Sequence, residues 1–463
     1  MLRANSLITW FVIVIFFGTL TTCLNAQNPS SIMEVEGVIK LNEQFDTSQM
    51  AGTIMYLGYD FWGRTNDGIW RSFTEGDIMT MENNIGDQII IPTTNNRNTI
   101  IGDFSGKNLI TDMLNLSGSS NTLIGFNSGQ WMTSGSTNTF LGTSAGRAAT
   151  TAFGNTYLGA TAGELNTDGN QNTFIGRGAG YNTSQSNNIA IGDLSLGDSK
   201  GQENVAIGNK SARNAGSNNV SIGHHTGSGD STYNNSVVIG AEAGMSLDVD
   251  DVVFVGYQAG KNNSTGTENT FIGHQSGLSV TEADRNTYIG YYSGIRNLTG
   301  NDNTHVGYLS GENNRTFGNT LIGGWTGRSI INGWNNTVLG YTAQSSENGA
   351  GNTILGARAG NEQIGNFNII IGYDAGQSVT GSNKLVIETA GFQDPDNATP
   401  LIYGEFDNDM VQINGSMHIS EFARLIPQES EPSNPEEGTV YYDAEFKALR
   451  VWNGVAWRNL QYE

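Results

Sequence analysis

The chain has 463 residues, among them 62 Gly and only 7 Pro, and a formal charge of −22. Charged residues are 14% of it, well under the usual quarter, so the surface must be built from Asn, Ser, Thr and Gly. Such an acidic chain disfavours a polyanionic partner such as nucleic acid, and none is expected; the sign says nothing for a cationic partner, because solubility explains it equally well.

Arg3 precedes an apolar run from Leu7 to Leu20. That run is too short for a comfortable membrane span and suits the core of a secretory signal. Small Ala26 supplies a cleavage position, so residues 1–26 read as a signal peptide and Gln27 as the first mature residue. The stretch ending at Cys23 also has the outline of a lipoprotein signal, although Thr22 is a poor residue just before an acylated Cys. The expected location is extracellular or at the outer cell surface. Cys23 is the only cysteine. A chain cleaved at Ala26 has no disulfide and no cysteine-based metal or redox site. No other segment is long and apolar enough to span a membrane.

Residues 27–95 read as a small β module. Val35–Leu41, Gly52–Tyr56 and Asp67–Phe73 are short apolar runs, the last opening on a Asp-Gly turn signal and carrying Trp70. Residues 96–390 are a repeat. Aligned on the Gly of each Ile-Gly or Leu-Gly pair, 17 copies run from Gly102 to Gly372, and after a first gap of 23 every spacing is 15 to 17. So short a unit suits one coil of a β-solenoid, expected here as two short strands and two turns. Stacked at about 4.8 Å each, the coils make a shaft about 80 Å long.

The positions of the repeat carry the argument. The residue before the Gly is Ile, Leu or Val, and the residue three before it is Thr, Val or Ile, in every copy. In a strand the two share a face, so Thr270, Ile272, Thr287, Ile289, Val205 and Ile207 are expected to stack inward as the repeat core. The residue four before the Gly is Asn in 15 of 17 copies, a turn former whose stacked copies could bond as a ladder. Small residues follow three and four after the Gly and imply a tight corner. The residue two before the Gly alternates with the inward pair and should point out. It holds Phe140, Tyr157, Phe174, Phe254, Phe271 and Tyr288. An apolar stripe along a rod needs a cover, and a symmetric copy of the same rod is the economical one, which makes these residues the expected oligomer interface. The competing reading is a flattened coil in which this column is internal.

Asn188–Gly192, Asn204–Gly208 and Asn219–Gly223 read N-I/V-A/S-I-G, each followed by small residues. They resemble the head repeats of trimeric autotransporter adhesins. In that family the repeat is a left-handed parallel β-roll, and three chains join into a head that attaches to host or matrix surfaces. The longer form, as in Asn269–Gly277, is similar to repeats of bacterial secreted fibre proteins. The resemblance covers roughly Asn98 to Val386 and implies fold and trimer state. The coil here is longer than the adhesin head's, and the heptad stalk and membrane barrel of an autotransporter are not found, so the resemblance does not extend to self-secretion.

Residues 391–463 repeat the character of the first module. Ile413–Ile419, Gly438–Tyr442 and Asn453–Leu460, with Trp457, match the earlier runs in order. This pattern is similar to small β modules of phage tail-fibre proteins, and capping of the solenoid's open ends is the expected role.

Candidate chemistry is sparse. His224 and His225 lack a third metal ligand. Asp248, Asp250 and Asp251 lack the ordered spacing of a calcium loop. No catalytic order or phosphate loop rises above chance, so no catalytic, cofactor or metal site is assigned and the chain is not read as an enzyme. The alternative is a carbohydrate-active β-helix enzyme, a lyase or glycosidase, which would need acids clustered along one face. Trp131, Trp325 and Trp334 lie in or beside turns and are candidate glycan contacts, with packing at a subunit seam as the competing reading. Ice binding needs a flat outward Thr face; the Thr column reads as inward and gives way to Val or Ile six times. The expectation is an all-β solenoid of about 17 coils flanked by two small β modules. It is a secreted, adhesin-like homotrimer that attaches to a surface or glycan.

Overall fold

The computed structural model describes residues 97–109, 117–328, 330–343, 347–360, 364–377, 379–389 and 399–460, together with short strands within residues 14–91. Cys23, the cleavage position at Ala26 and the Val35–Leu41 run lie outside the described residues. Every regular element among the described residues is a β-strand.

Seventeen three-residue strands, from Thr99–Ile101 to Ile369–Ile371, pair in parallel, each with the next copy and in register. Phe271 therefore lies between Phe254 and Tyr288. Each strand opens on a β-branched residue, and most carry further β-branched or aromatic ones, which suits a pleated surface. It ends because the Gly after it cannot be replaced: Gly273 has φ +135°, and a Cβ there would sit 2.4 Å from the carbonyl oxygen of Gly290 in the next coil.

There is one strand per coil, not the expected two. After the corner the chain turns repeatedly. Gln275 and Gly277 adopt φ +54° and +59°, and the Ser276 and Leu278 amides close back on Gly273 and Gln275. Left-handed residues two apart cannot belong to an extended strand. The turns still join coil to coil, because the Gln275 amide donates to Tyr257 and the Gly277 amide to Ser293.

The core reverses the alternation read from the sequence. Phe140, Tyr157, Phe174, Phe254, Phe271 and Tyr288 are fully buried inside the coil of their own chain. Thr270, Thr287 and Val205 are half-buried on the outside, and Ile207, Ile272 and Ile289 are 36–37% exposed. The interior is narrow enough for one large side chain per strand. The rings stack along the axis: Phe254–Phe271 and Phe271–Tyr288 centroids are 4.9 and 5.0 Å apart with planes within 8°. Opposite each ring sits a small residue and then a Gly, such as Ser276 and Gly277, and a Cβ on Gly277 would lie 2.6 Å from the Phe271 ring. The two small positions make room for the ring.

Where the ring is missing the space is filled from elsewhere. Ala190 and Ala206 occupy the ring position in two coils, and there the Gly is replaced by buried Leu196 and Ala212. In the next coil Ser221 takes the position, and buried Tyr233 enters from the opposite side to bond its hydroxyl at 2.9 Å.

The Asn ladder is present. Asn286 Oδ1 accepts from the backbone amide and Nδ2 of Asn303 at 2.9 and 3.1 Å, and Asn303 Nδ2 also donates to Thr316 O. Each amide thus satisfies buried groups of two coils. The ladder falters where Asn is replaced: Ser236 Oγ accepts weakly from the Val252 amide at 3.3 Å, and Val252 offers Asn269 no side-chain acceptor.

The ends differ from expectation. Antiparallel strands continue the solenoid sheet itself: Met79–Glu82 and Gln88–Ile91 before it, and Ile402–Glu405 and Met410–Ile413 after the last parallel strand, Lys384–Ile387. The Trp-bearing segments form two separate three-stranded sheets, Ile54–Leu57/Asp60–Arg64/Trp70–Ser72 and Val440–Asp443/Ala448–Trp452/Trp457–Asn459. Their common order matches the duplication read from sequence. Of Ile413–Ile419 only Ile413 is in a strand.

Candidate functional surfaces

With the interior filled, chemistry can only lie on the outer faces. The first is the sheet face. Its two rows are the residues that flank each buried ring, Thr, Val or Ile in one and Ile, Leu or Val in the other. Register carries the second row from Ile371 through Ile387 and Ile402 to Ile413. The rows run coil to coil without a shift because the strands are in register. The Thr row faces outward after all, so only its six replacements and the aliphatic row beside it speak against an ice-binding face.

Around the corner lies a second face, formed by the residues just after each corner Gly. Over six successive coils these are Tyr257, His274, Tyr291, Tyr308, Gly324 and Tyr341. The tyrosines are 40–60% exposed. Their rings stack along the axis, with centroid spacings of 5.1 Å (Tyr257–His274), 4.9 Å (His274–Tyr291) and 5.3 Å (Tyr291–Tyr308). At Gly324 the ridge steps sideways to Trp325, 5.4 Å from Tyr308 and tilted by 55°. The Arg328 guanidinium lies over Trp325 at 4.5 Å and pairs with Glu312 at 2.7 Å. A polar row runs beside the ridge. Gln275 donates to Gln258, which donates to Glu242 at 2.9 Å. Hydrogen bonds from Lys261 and then Gln258 hold the Glu242 carboxyl below its usual range.

The three tryptophans singled out from sequence are not brought together. Trp131 is 53% exposed at a turn near the start of the rod. Trp334 stacks on Phe317 at 5.9 Å, just before the Asn of its coil. Only Trp325 joins a larger aromatic surface. The tyrosine ridge was missed, yet its signal is plain: the residue after the corner Gly is aromatic or His in four consecutive copies from Gly256.

The remaining candidates have local structural roles. The His224 and His225 rings lie 4.3 Å apart, and burial followed by repulsion from His224 lowers the basicity of His225. Among the described residues no cluster of three metal-ligating side chains occurs. Asp248 and Asp250 accept the backbone amides of Ser231 and Asn234 at 2.8 and 2.7 Å, one coil away. A shallow pocket between Arg177, Tyr181, Asp198 and Arg213 holds ion pairs, since Arg177 binds Asp193 and Arg213 binds Asp198. His305 replaces a ring in the core. It stacks on Tyr288 at 4.6 Å, neither nitrogen has a hydrogen-bond partner, and burial pushes its basicity down to about 3.

No helix among the described residues is long and apolar enough to cross a membrane. The chain matches no family model, no curated protein and no solved structure.

Proposed function

We propose that the chain is a secreted fibre protein that works as a homotrimer and attaches to a surface or glycan. The observation that carries this reading is the sheet face. Two rows of Thr, Val, Ile and Leu run outward along seventeen strands and continue to Val411 and Ile413, which are 65% and 42% exposed. A contiguous apolar face of that length marks an interaction site, and a second copy of the same rod carries the same repeat and so fits it along its whole length. The interface thus moves from the aromatic column to the flanking rows, and the resemblance to adhesin heads sets the number of chains at three. The core supports a structural role: every inward position is spent on packing or on the Asn ladder.

Light scattering on residues 27–463 tests the assembly. The expected mass is three chains, and Ile272→Asp with Ile289→Asp releases monomers, because a carboxylate in a closed apolar seam has no partner. A wild-type monomer refutes the trimer. Retention of the purified protein on cells or matrix tests attachment.

A further inference from the structure

We propose that the ridge from Tyr257 to Tyr341 binds a neutral, linear glycan lying along the rod axis. The inference rests on the attachment reading for its use, and it names the face that does the attaching.

The fold does not demand these rings. The same position after the corner Gly holds Thr143, Ala160, Asn209, Ala241 and Ala357 in other coils, which wind and pair in the same way. Successive aromatic residues at this position occur only in that stretch, where the tyrosines remain 40–60% exposed; elsewhere Phe126 and Tyr373 are isolated instances. Large exposed rings flanked by polar groups are the composition of a ligand surface. Here the polar groups nearby are the Gln258–Gln275 amides and the Glu312–Arg328 pair.

Periodicity selects the ligand. The ring centroids recur every 4.9–5.3 Å, coil by coil, from Tyr257 to Tyr308. A ligand that uses all of them must present the same group at the same interval. An extended chain of pyranose rings does this, since each sugar advances by about the thickness of one coil. A globular protein surface does not. The tyrosine side chains are 40–60% exposed, so they can offer both C–H contact and hydrogen-bonding phenol groups to the sugar hydroxyls. Trp325, tilted by 55° out of the stack, adds a larger apolar contact beside the gap at Gly324. The chain's charge of −22 selects neutral glycans over acidic ones.

The experiment uses residues 27–463 and measures retention on insoluble cellulose, chitin and xylan, with solution mass recorded for every variant. Retention on at least one polysaccharide is expected, weakened by about tenfold in Tyr308→Ala and in Tyr291→Ala. Thr143→Ala, in the same position on a coil outside the ridge, leaves it unchanged. Three outcomes overturn the proposal: no retention on any of the three, retention undiminished in both tyrosine variants, or a change of oligomeric mass in Tyr308→Ala, which makes the ridge a contact between chains. Retention on cells without retention on the polysaccharides refutes the ridge and leaves the attachment reading standing. Loss of both refutes both.

Discussion

Gly277 is required by a ring and not by a turn alone, and a double-mutant cycle can separate the two. A Cβ at Gly277 would lie 2.6 Å from Cδ2 and Cε2 of Phe271, a ring fixed between Phe254 and Tyr288 at 4.9 and 5.0 Å. It cannot move along the axis. Gly277→Ala then has two costs: about 1–2 kcal/mol for an alanine at φ +59°, and about 1–3 kcal/mol for overpacking. Phe271→Ala costs about 3–5 kcal/mol through the emptied space. In the double variant the overpacking vanishes and only the backbone strain persists, so the pair should be less destabilised than the sum by about 1–3 kcal/mol. Coils already of this type exist: Ala190 with Leu196, and Ala206 with Ala212. Hydrogen exchange measured by mass spectrometry reads the effect locally, with peptides from residues 320–343 as the internal reference, since a solenoid transmits damage mainly to neighbouring coils. Additivity within about 0.5 kcal/mol would refute the reasoning.

His305 makes the rod acid-sensitive. Burial keeps it neutral when folded, with its basicity at about 3, whereas the unfolded chain takes up a proton near 6.5. Its contribution is therefore complete above that value and is lost as pH falls toward 3, amounting to about 2 kcal/mol by pH 5; His305→Phe should narrow the difference in Tm between pH 7 and pH 5, and an unchanged difference refutes the assignment. Asn286→Ala strips the acceptor from the Asn303 amide and Nδ2 and should cost about 2–3 kcal/mol, read as faster exchange at the Asn303 amide but not at Asn352. Lys384 bonds Glu405 at 2.7 Å, and Lys384, Tyr403 and Asn408 hold the Glu405 carboxyl down to about 2. That stabilisation is present above the ordinary carboxylate range and lost as pH falls through about 2; Lys384→Met should move the Glu405 titration upward in carbon NMR, and no movement would show the pair to be incidental.

The repeat, the parallel stacking, the corner Gly and the Asn ladder were legible because each is a single residue type at a fixed offset. The direction of the strand was not. A three-residue strand has one residue on one face and two on the other, and both sets are apolar here, so alternation alone allows either orientation. Phe271 inside with Thr270 and Ile272 outside follows from size: the ring needs small partners, and Ser276 and Gly277 lie opposite it. The decisive signal was covariation within the chain, since Leu196 and Ala212 replace the Gly in the two coils where Ala190 and Ala206 replace the ring. The expected second strand per coil failed because left-handed Gln275 has no mark that distinguishes it from an extended residue, and Gly277 alone reads as a single corner. The capping strands were obscured by the stronger Trp-bearing signal in the neighbouring modules.

From the position four before each corner Gly to the position four after it, the coils align without insertion or deletion; the variation in coil length, 15 to 17 residues after the first interval, falls in the turns beyond. The extra length of the first interval, 23 residues from Gly102 to Gly125, falls in the same place. The chain therefore behaves as a ruler cut from interchangeable segments. Adding or removing a whole coil changes its reach by one strand spacing and leaves both ends as they were, while a single residue lost inside the invariant stretch throws every row out of line at once. Length can be adjusted by duplication without redesigning any contact, and the place where each duplicate can be joined is already built in.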